Sequence, residues 1–451
     1  MRQLFRQSSR RQQRRLPSTL SAEVQSLEQR TLPAGTVLAV VSAGNITLTG
    51  DNNSNQVTIE VTATGITLTG EGTTLIRKGA RTGASFTVNS FNVTRDVTIN
   101  LRGGDDTLTV NVGTANLVIG RNLKIDAGVG DDTITVTDPG TITVNGALTV
   151  DLGAGADSLT VATPVTVLGN AKITGSTGND TVNLDRLVVG KHLTIETGSG
   201  DDAVVLSDSL VTGNANVALS AGNDDLDTNE LDVLGATIFD AGAGDDSALT
   251  IADSTFAGLA RIHLQSGNDQ IELSSEFQGA VEVTGGSGND LLGIGASIFR
   301  AASSFHLGSG DDTAFIDDAE FVGNTSFDFG DGLDQLDIGF IDELDPTLTP
   351  IFRARSSFQL GSGNDSVRLA SANFQGRSAL DLGSGDDELG IVGTPPTRGE
   401  DVVITVNAGD GIDRLEFALA SLTALDLEAL AALINTVFEN KVDLDAVVSP
   451  S

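Results

Sequence analysis

Fourteen aspartates in this chain share one setting. Asp106, Asp132, Asp157, Asp180, Asp202, Asp224, Asp246, Asp269, Asp290, Asp312, Asp334, Asp365, Asp387 and Asp413 each lie two residues after a glycine in a G-x-G-[DN]-D turn. The residue before the aspartate is itself Asp or Asn in eleven of the fourteen copies. Carboxylates in glycine-rich turns, where backbone carbonyls are also open, form an all-oxygen donor set. That chemistry suits a hard cation, and calcium, with six to eight oxygen ligands, suits it better than the smaller magnesium. The competing reading is conformational, because Asp and Asn tolerate left-handed backbone and cap tight turns with their own side chains.

The spacing shows what must position these residues. The glycines that precede the aspartates (Gly104, Gly130, Gly155, Gly178, Gly200, Gly222, Gly244, Gly267, Gly288, Gly310, Gly332, Gly363, Gly385, Gly411) recur mostly at 21–23 residues, with 31 as the widest gap. A fixed period of this size is the signature of a solenoid. Stacked one coil apart at ~4.8 Å, neighbouring unit charges would repel by about 3.5 kcal/mol at an effective dielectric of ~20. A row this long requires compensation by protons or by cations.

Within each unit, apolar residues fall four and six positions after the glycine, as in Leu108/Val110, Ile134/Val136, Leu159/Val161, Ile271/Leu273 and Leu389/Ile391, the alternation of a half-buried strand. Ala314, Thr228 and Thr250 fit this pattern less well. A mid-unit glycine (Gly120, Gly146, Gly169, Gly190, Gly213, Gly235, Gly258, Gly279, Gly323, Gly376, Gly399) marks a second corner, where the expectation is positive φ. Phe256, Phe277, Phe299, Phe321, Phe352 and Phe374 share one place in the unit, and Phe305, Phe327 and Phe358 share another, so both rows read as interior ladders. The fold expected is all-β, a right-handed parallel β-helix of about fourteen coils of ~22 residues.

Composition agrees and removes several classes of function. Among 451 residues there are 53 Gly, no Cys, Trp or Tyr, and a single Met, which leaves no disulfides, thiolate metal sites or cysteine nucleophile. The formal charge is −35, and residues 1–35 carry seven Arg against two Glu, so the remainder stands at about −40. A field of that sign repels nucleic acid and attracts cations. No segment reaches the ~20 apolar residues of a transmembrane helix.

The chain is expected to divide into a basic N-terminal targeting or disordered segment (1–35), an irregular β-rich cap (36–100), the calcium-binding solenoid (101–417) and a C-terminal helix and tail (418–451). Residues 422–439 change to a helical period, which suits a capping helix over the last coil.

Two resemblances bear on this organisation. Gly285-Gly286-Ser287-Gly288-Asn289-Asp290-Leu291-Leu292-Gly293 resembles the GGxGxDxUx nonapeptide of repeats-in-toxin, or hemolysin-type, calcium-binding proteins. That resemblance implies calcium shared between stacked turns, held by turn carbonyls and by the fourteen aspartates. It also implies weaker rungs where Leu333 and Ile412 replace the polar residue and where Arg102 replaces a turn glycine. The family places its nonapeptides in tandem, whereas this chain has one turn per unit. Leu27-Glu28-Gln29-Arg30-Thr31-Leu32 is similar to the LEPR-x-L-L element near the N-termini of planctomycete-type surface proteins, with Gln29 for Pro and Pro33 for the second Leu. It implies an extracellular or cell-surface location.

The function expected is therefore a structural or adhesive one, not catalysis, with calcium as the ligand and an extracellular or cell-surface polysaccharide or protein as the partner. The alternative is a polysaccharide lyase or hydrolase whose site lies at the 339–357 insertion, with Asp342, Glu343, Asp345, Arg353 and Arg355. His192, His263 and His306 fall in different units and read as surface residues. Thr-x-Thr triplets such as Thr107/Thr109 and Thr133/Thr135 are similar to the flat arrays of ice-binding solenoids, but β-propensity accounts for them.

Overall fold

In the coil that starts at Ala203, one nine-residue strand, Ala203–Val211, buries Val204, Leu206, Ser209 and Val211 and exposes Asp208. It bends at Asp208 (φ +48°), rounds a corner at residues 212–214, and continues as Ala215–Ala221, which buries Ala215, Val217 and Leu219. The Gly-Asp turn then leads into the next coil, where Asp225–Val233 pairs with Ala203–Val211 in parallel and 22 residues out of step, as in Val204↔Leu226. Alternation at period two makes each strand a wall with one apolar face, and closing the coil turns those faces toward each other.

This is a computed structural model, described for residues 35–418 apart from 63–64, 89–92, 138, 340–348, 371, 393–396, 399–403 and 412. Thirteen successive parallel pairings run from Val97–Asn100 to Ile404–Asn407 in one sheet, while a second sheet collects the two strand segments on the other side of each coil. The architecture is a β-solenoid of short coils, and no helix occurs among the described residues. The helix expected at 422–439, the basic segment before residue 35 and Gly399 lie outside them.

At the N-terminal end the pattern changes to antiparallel hairpins: Thr36–Ser42 with Asn45–Thr49, Leu75–Lys78 with Arg81–Gly83, and Gly65–Gly70 between Gln56–Thr62 and Ser85–Val88. Asn45–Thr49 and Gln56–Thr62 nevertheless stack in parallel on Val97–Asn100 and Thr107–Asn111. Residues 45–62 are thus an extra coil, and the hairpins around it occupy the edge that an open end would expose.

Both phenylalanine rows are interior stacks. Ring centroids from Phe256 through Phe277, Phe299, Phe321, Phe352 and Phe374 are separated by 4.8–5.2 Å, and those of Phe305, Phe327 and Phe358 by 4.4 and 5.4 Å. The two stacks meet edge to face, as at Phe299–Phe305 (88°), a favourable arrangement for aromatic quadrupoles. Phe352 stays on Phe321 across residues 339–350, so that insertion leaves the register unbroken.

Two sequence expectations change. None of the described mid-unit glycines has positive φ. They are required by close approach instead: a Cβ at Gly279 would sit 2.0 Å from the Gly258 carbonyl oxygen, and one at Gly258 would sit 2.2 Å from that of Gly235. Thr250 does not face inward either. One extra residue after Asp246 shifts the alternation, so that Leu249 and Ile251 are the buried pair. Thr228 and Ala314, by contrast, are fully buried at their expected places.

Candidate metal edge

Apart from Ser176 and Gly332, which are not left-handed, the Gly-Asp turns are built on two positions with left-handed backbone, mostly glycines. In one coil these are Gly198 (φ +108°) and Gly200 (φ +137°), and a Cβ at Gly200 would lie 2.1 Å from the carbonyl oxygen of Gly178 one coil below. Arg102, Ser220 and Gln265 occupy the first of these positions with φ of +80°, +86° and +74°, so the turn survives there without glycine. This close backbone stacking brings the aspartates into line.

All thirteen aspartates from Asp106 to Asp387 are 2% exposed or less, whereas Asp413 at the end of the row is half-buried. They form a directed chain. The backbone N–H of Asp106 donates to Asp132 Oδ1 (2.7 Å), that of Asp132 to Asp157 (2.7 Å), and so on through every rung to Asp387, which donates to Asp413 (3.3 Å). An amide-to-carboxylate bond of this kind is charge-assisted and offsets part of the stacking repulsion.

The second carboxylate oxygen has no such partner. Oδ2 is buried and without a hydrogen bond in all thirteen residues from Asp106 to Asp387. It lies on the inner side of the turn: a Cβ at Gly175 would be 2.0 Å from Asp180 Oδ2, and one at Gly285 would be 2.3 Å from Asp290 Oδ2. A buried oxygen anion with no donor is costly. Burial accordingly pushes these carboxyls above their ordinary range, to about 7 for Asp106, Asp180, Asp246, Asp290, Asp312 and Asp334. It raises Asp132, Asp157, Asp224, Asp269 and Asp387 to about 6. Asp202 and Asp365 are raised as well, while the N–H bond from the preceding rung works in the opposite direction at every one of these sites.

The residue before the aspartate forms an exposed row running the other way, broken after Ala156 and Leu333, which carry no side-chain acceptor. Here the N–H of Asp201 donates back to Asn179 Oδ1 (3.0 Å), Asn223 to Asp201 (2.9 Å) and Asp245 to Asn223 (2.9 Å). Leu333 contributes its N–H to Asp311 in the same way, and Asp334 keeps its place in the buried row despite that substitution. Ile412 lies outside the described residues. The mid-unit corner carries a further row, in which His192 stands among Asn122, Asn170 and Asn214 and accepts the Asn214 N–H at Nδ1 (3.0 Å).

The row has one member that the turn motif does not reveal. Asn55, fully buried, donates its N–H to Asp106 Oδ1 (2.5 Å) from the extra coil at 45–62. It lies 51 residues before Asp106 and follows Gly50-Asp51-Asn52-Asn53-Ser54 rather than a glycine pair. The only sequence signal was a polar turn between two alternating segments.

The other sequence candidates do not converge. His263 and His306 share one outward column two coils apart, bonded to Thr284 (2.9 Å) and facing Asp328 (3.6 Å). Arg353 is engaged by Glu320 and by Gln375 (3.2 Å), and Asp342, Glu343 and Asp345 lie outside the described residues. Thr109, Thr135 and Thr160 do stack in register, as do Thr107, Thr133 and Ser158.

The donor set of the buried edge is carboxylate and carbonyl oxygen without nitrogen or sulfur, the kind calcium takes. Among the described residues, no three His, Cys, Asp or Glu side chains are gathered to hold a metal by themselves. An ion on this edge therefore needs turn carbonyls beside the aspartates, and the unpartnered Oδ2 atoms fit that requirement.

Fold and edge together define a parallel β-solenoid with a buried ladder of carboxylates. No protein-family model matches the chain, and no curated protein matches it. Among solved structures it is similar to the X-ray crystal structure of a hyperactive, Ca2+-dependent, β-helical antifreeze protein from an Antarctic bacterium. Identity is 19%, over 79% of this chain and 90% of that one, with a TM-score of 0.28.

Proposed function

We propose that this protein is a calcium-stabilised β-solenoid of the hemolysin type, held outside the cell or on its surface, with a structural or adhesive role rather than a catalytic one. The observation that carries the calcium reading is the row of thirteen buried Oδ2 atoms with no hydrogen-bond donor. A divalent ion between stacked turns would neutralise two carboxylates and accept both Oδ2 and carbonyl lone pairs as ligands. Asp106 through Asp387 are the carboxylate ligands in this reading, and Asp413 serves the last turn.

The extracellular assignment draws on the resemblance of residues 27–32 to the LEPR-x-L-L element. Millimolar calcium outside the cell would keep even modest sites filled. An ion that binds only the folded chain stabilises it in proportion to the logarithm of its concentration.

The test is a calcium titration of the purified protein by calorimetry, with melting followed by circular dichroism in chelator and in millimolar calcium. Saturable binding of several ions and a large rise in melting temperature are expected. Identical melting in the two buffers would discard the ion and leave an acidic scaffold. Surface location is checked by protease accessibility on intact cells, where cleavage only after lysis would oppose it.

A further inference from the structure

We infer that Asn55 is the built-in terminus of the ion row: its side-chain amide takes the place that a cation takes at the other rungs, closing the first coil without metal. The inference rests on the calcium reading above and deepens it.

Three observations support it. Asn55 Nδ2 donates to the carbonyl oxygen of Asn53 (2.7 Å). Asn53 occupies the place of the second turn glycine, since a Cβ at Gly104, the next such glycine, would lie 2.6 Å from the Asn53 carbonyl carbon. The amide nitrogen also sits on the inner side of the turn, 2.9 Å from where a Cβ at Gly50 would be, the side on which Oδ2 of Asp180 and Asp290 faces Gly175 and Gly285. One electropositive N–H therefore links side chain and turn carbonyl at this rung. At Asp180 and Asp290 a carboxylate oxygen stands on that side, and Oδ2 has no hydrogen-bond partner in any aspartate of the row from Asp106 to Asp387.

The location explains the substitution. Each aspartate Oδ1 accepts an N–H from the coil before it, but Asn55 belongs to the first described coil, and its buried Oδ1 has no partner. Among the described residues a cation there would have only one turn to bind. A neutral amide satisfies the turn carbonyl and adds no charge beneath the hairpins.

The test compares N55D and D224N with the unaltered full-length protein, each melted in chelator and titrated with calcium chloride. N55D is expected to lower the melting temperature in chelator by several degrees and to bind no fewer ions than the parent. D224N, which puts the same amide into the middle of the row, is expected to raise the melting temperature in chelator and to bind fewer ions. If the parent binds no calcium, the calcium reading fails and takes this inference with it. If the parent binds calcium but D224N is less stable than the parent in chelator, the amide does not replace the ion and this inference alone falls. Should N55D fail to fold, D224N decides the matter by itself.

Discussion

A buried aspartate whose folded-state pKa is raised is protonated in the native chain over a range of pH where the unfolded chain has already lost its proton. Stability then falls as pH rises, from about pH 4, where unfolded carboxyls ionise, to the raised values near 6 and 7, and is level beyond. In chelator the melting temperature should therefore drop between pH 5 and pH 8. Under the proposed calcium reading the ion binds the ionised form, so in millimolar calcium the drop should be much reduced. A chelator profile that rises over that interval would contradict the unpartnered Oδ2 atoms. The aspartate column itself was legible from spacing alone, because one residue type recurred at one offset from a glycine. What its side chains bond to was not, since the two N–H rows point in opposite directions only once the coils are stacked. Asn55 was hidden because the residues between it and Asp106 break the period that reveals the others.

At the scale of a strand or a corner, the coils are tight enough that atoms absent from a side chain matter as much as those present. Gly279→Ala should be strongly destabilising although its φ is ordinary, because the added methyl would meet the Gly258 carbonyl and force two coils apart. Gly295→Ala should be tolerated, as the nearest atom to its Cβ would be 3.8 Å away. Denaturant unfolding of the pair distinguishes close approach from backbone conformation as the cause. Phe321→Ala removes a ring stacked on two others and should cost about 3–5 kcal/mol. Sequence periodicity showed which faces are buried but not how near one backbone lies to the next. It found the mid-unit glycines but assigned them to positive φ for that reason, and it missed the shift at Leu249 because a single extra residue inverts every later assignment in a strand.

Across the whole solenoid the interior is uneven. The early coils are longer, up to 26 residues, yet hold no phenylalanine, and a void of about 40 Å³ remains among Ile125, Ile134, Val150, Leu159 and Ile173. From Phe256 to Phe374 one ring stack runs through the core, joined from Phe305 to Phe358 by a second, and the voids beside Phe239 and Phe358 are smaller, about 10 and 20 Å³. Because each coil touches mainly its neighbours, stability is a sum of local terms and need not be lost in one step. Hydrogen exchange in chelator should show amides of residues 107–187 opening more readily than those of residues 256–374. Uniform protection along the molecule would refute this. The rings and their period were visible in the sequence, but the void was not, since it depends on the perimeter of the coil as well as on its side chains.

The paired Asp/Asn rows have one more consequence. Since the aspartate of a turn reaches forward and the Asp or Asn before it reaches back, coils such as those at Asp202, Asp224 and Asp246 offer the same two connectors to whatever lies on either side of them. A segment of one period can be removed or copied at the joint between Asp202 and Asp224 without leaving a mismatched seam. The number of coils is thus free to vary while the geometry of each stays fixed, and the reach of the molecule becomes something duplication alone can set.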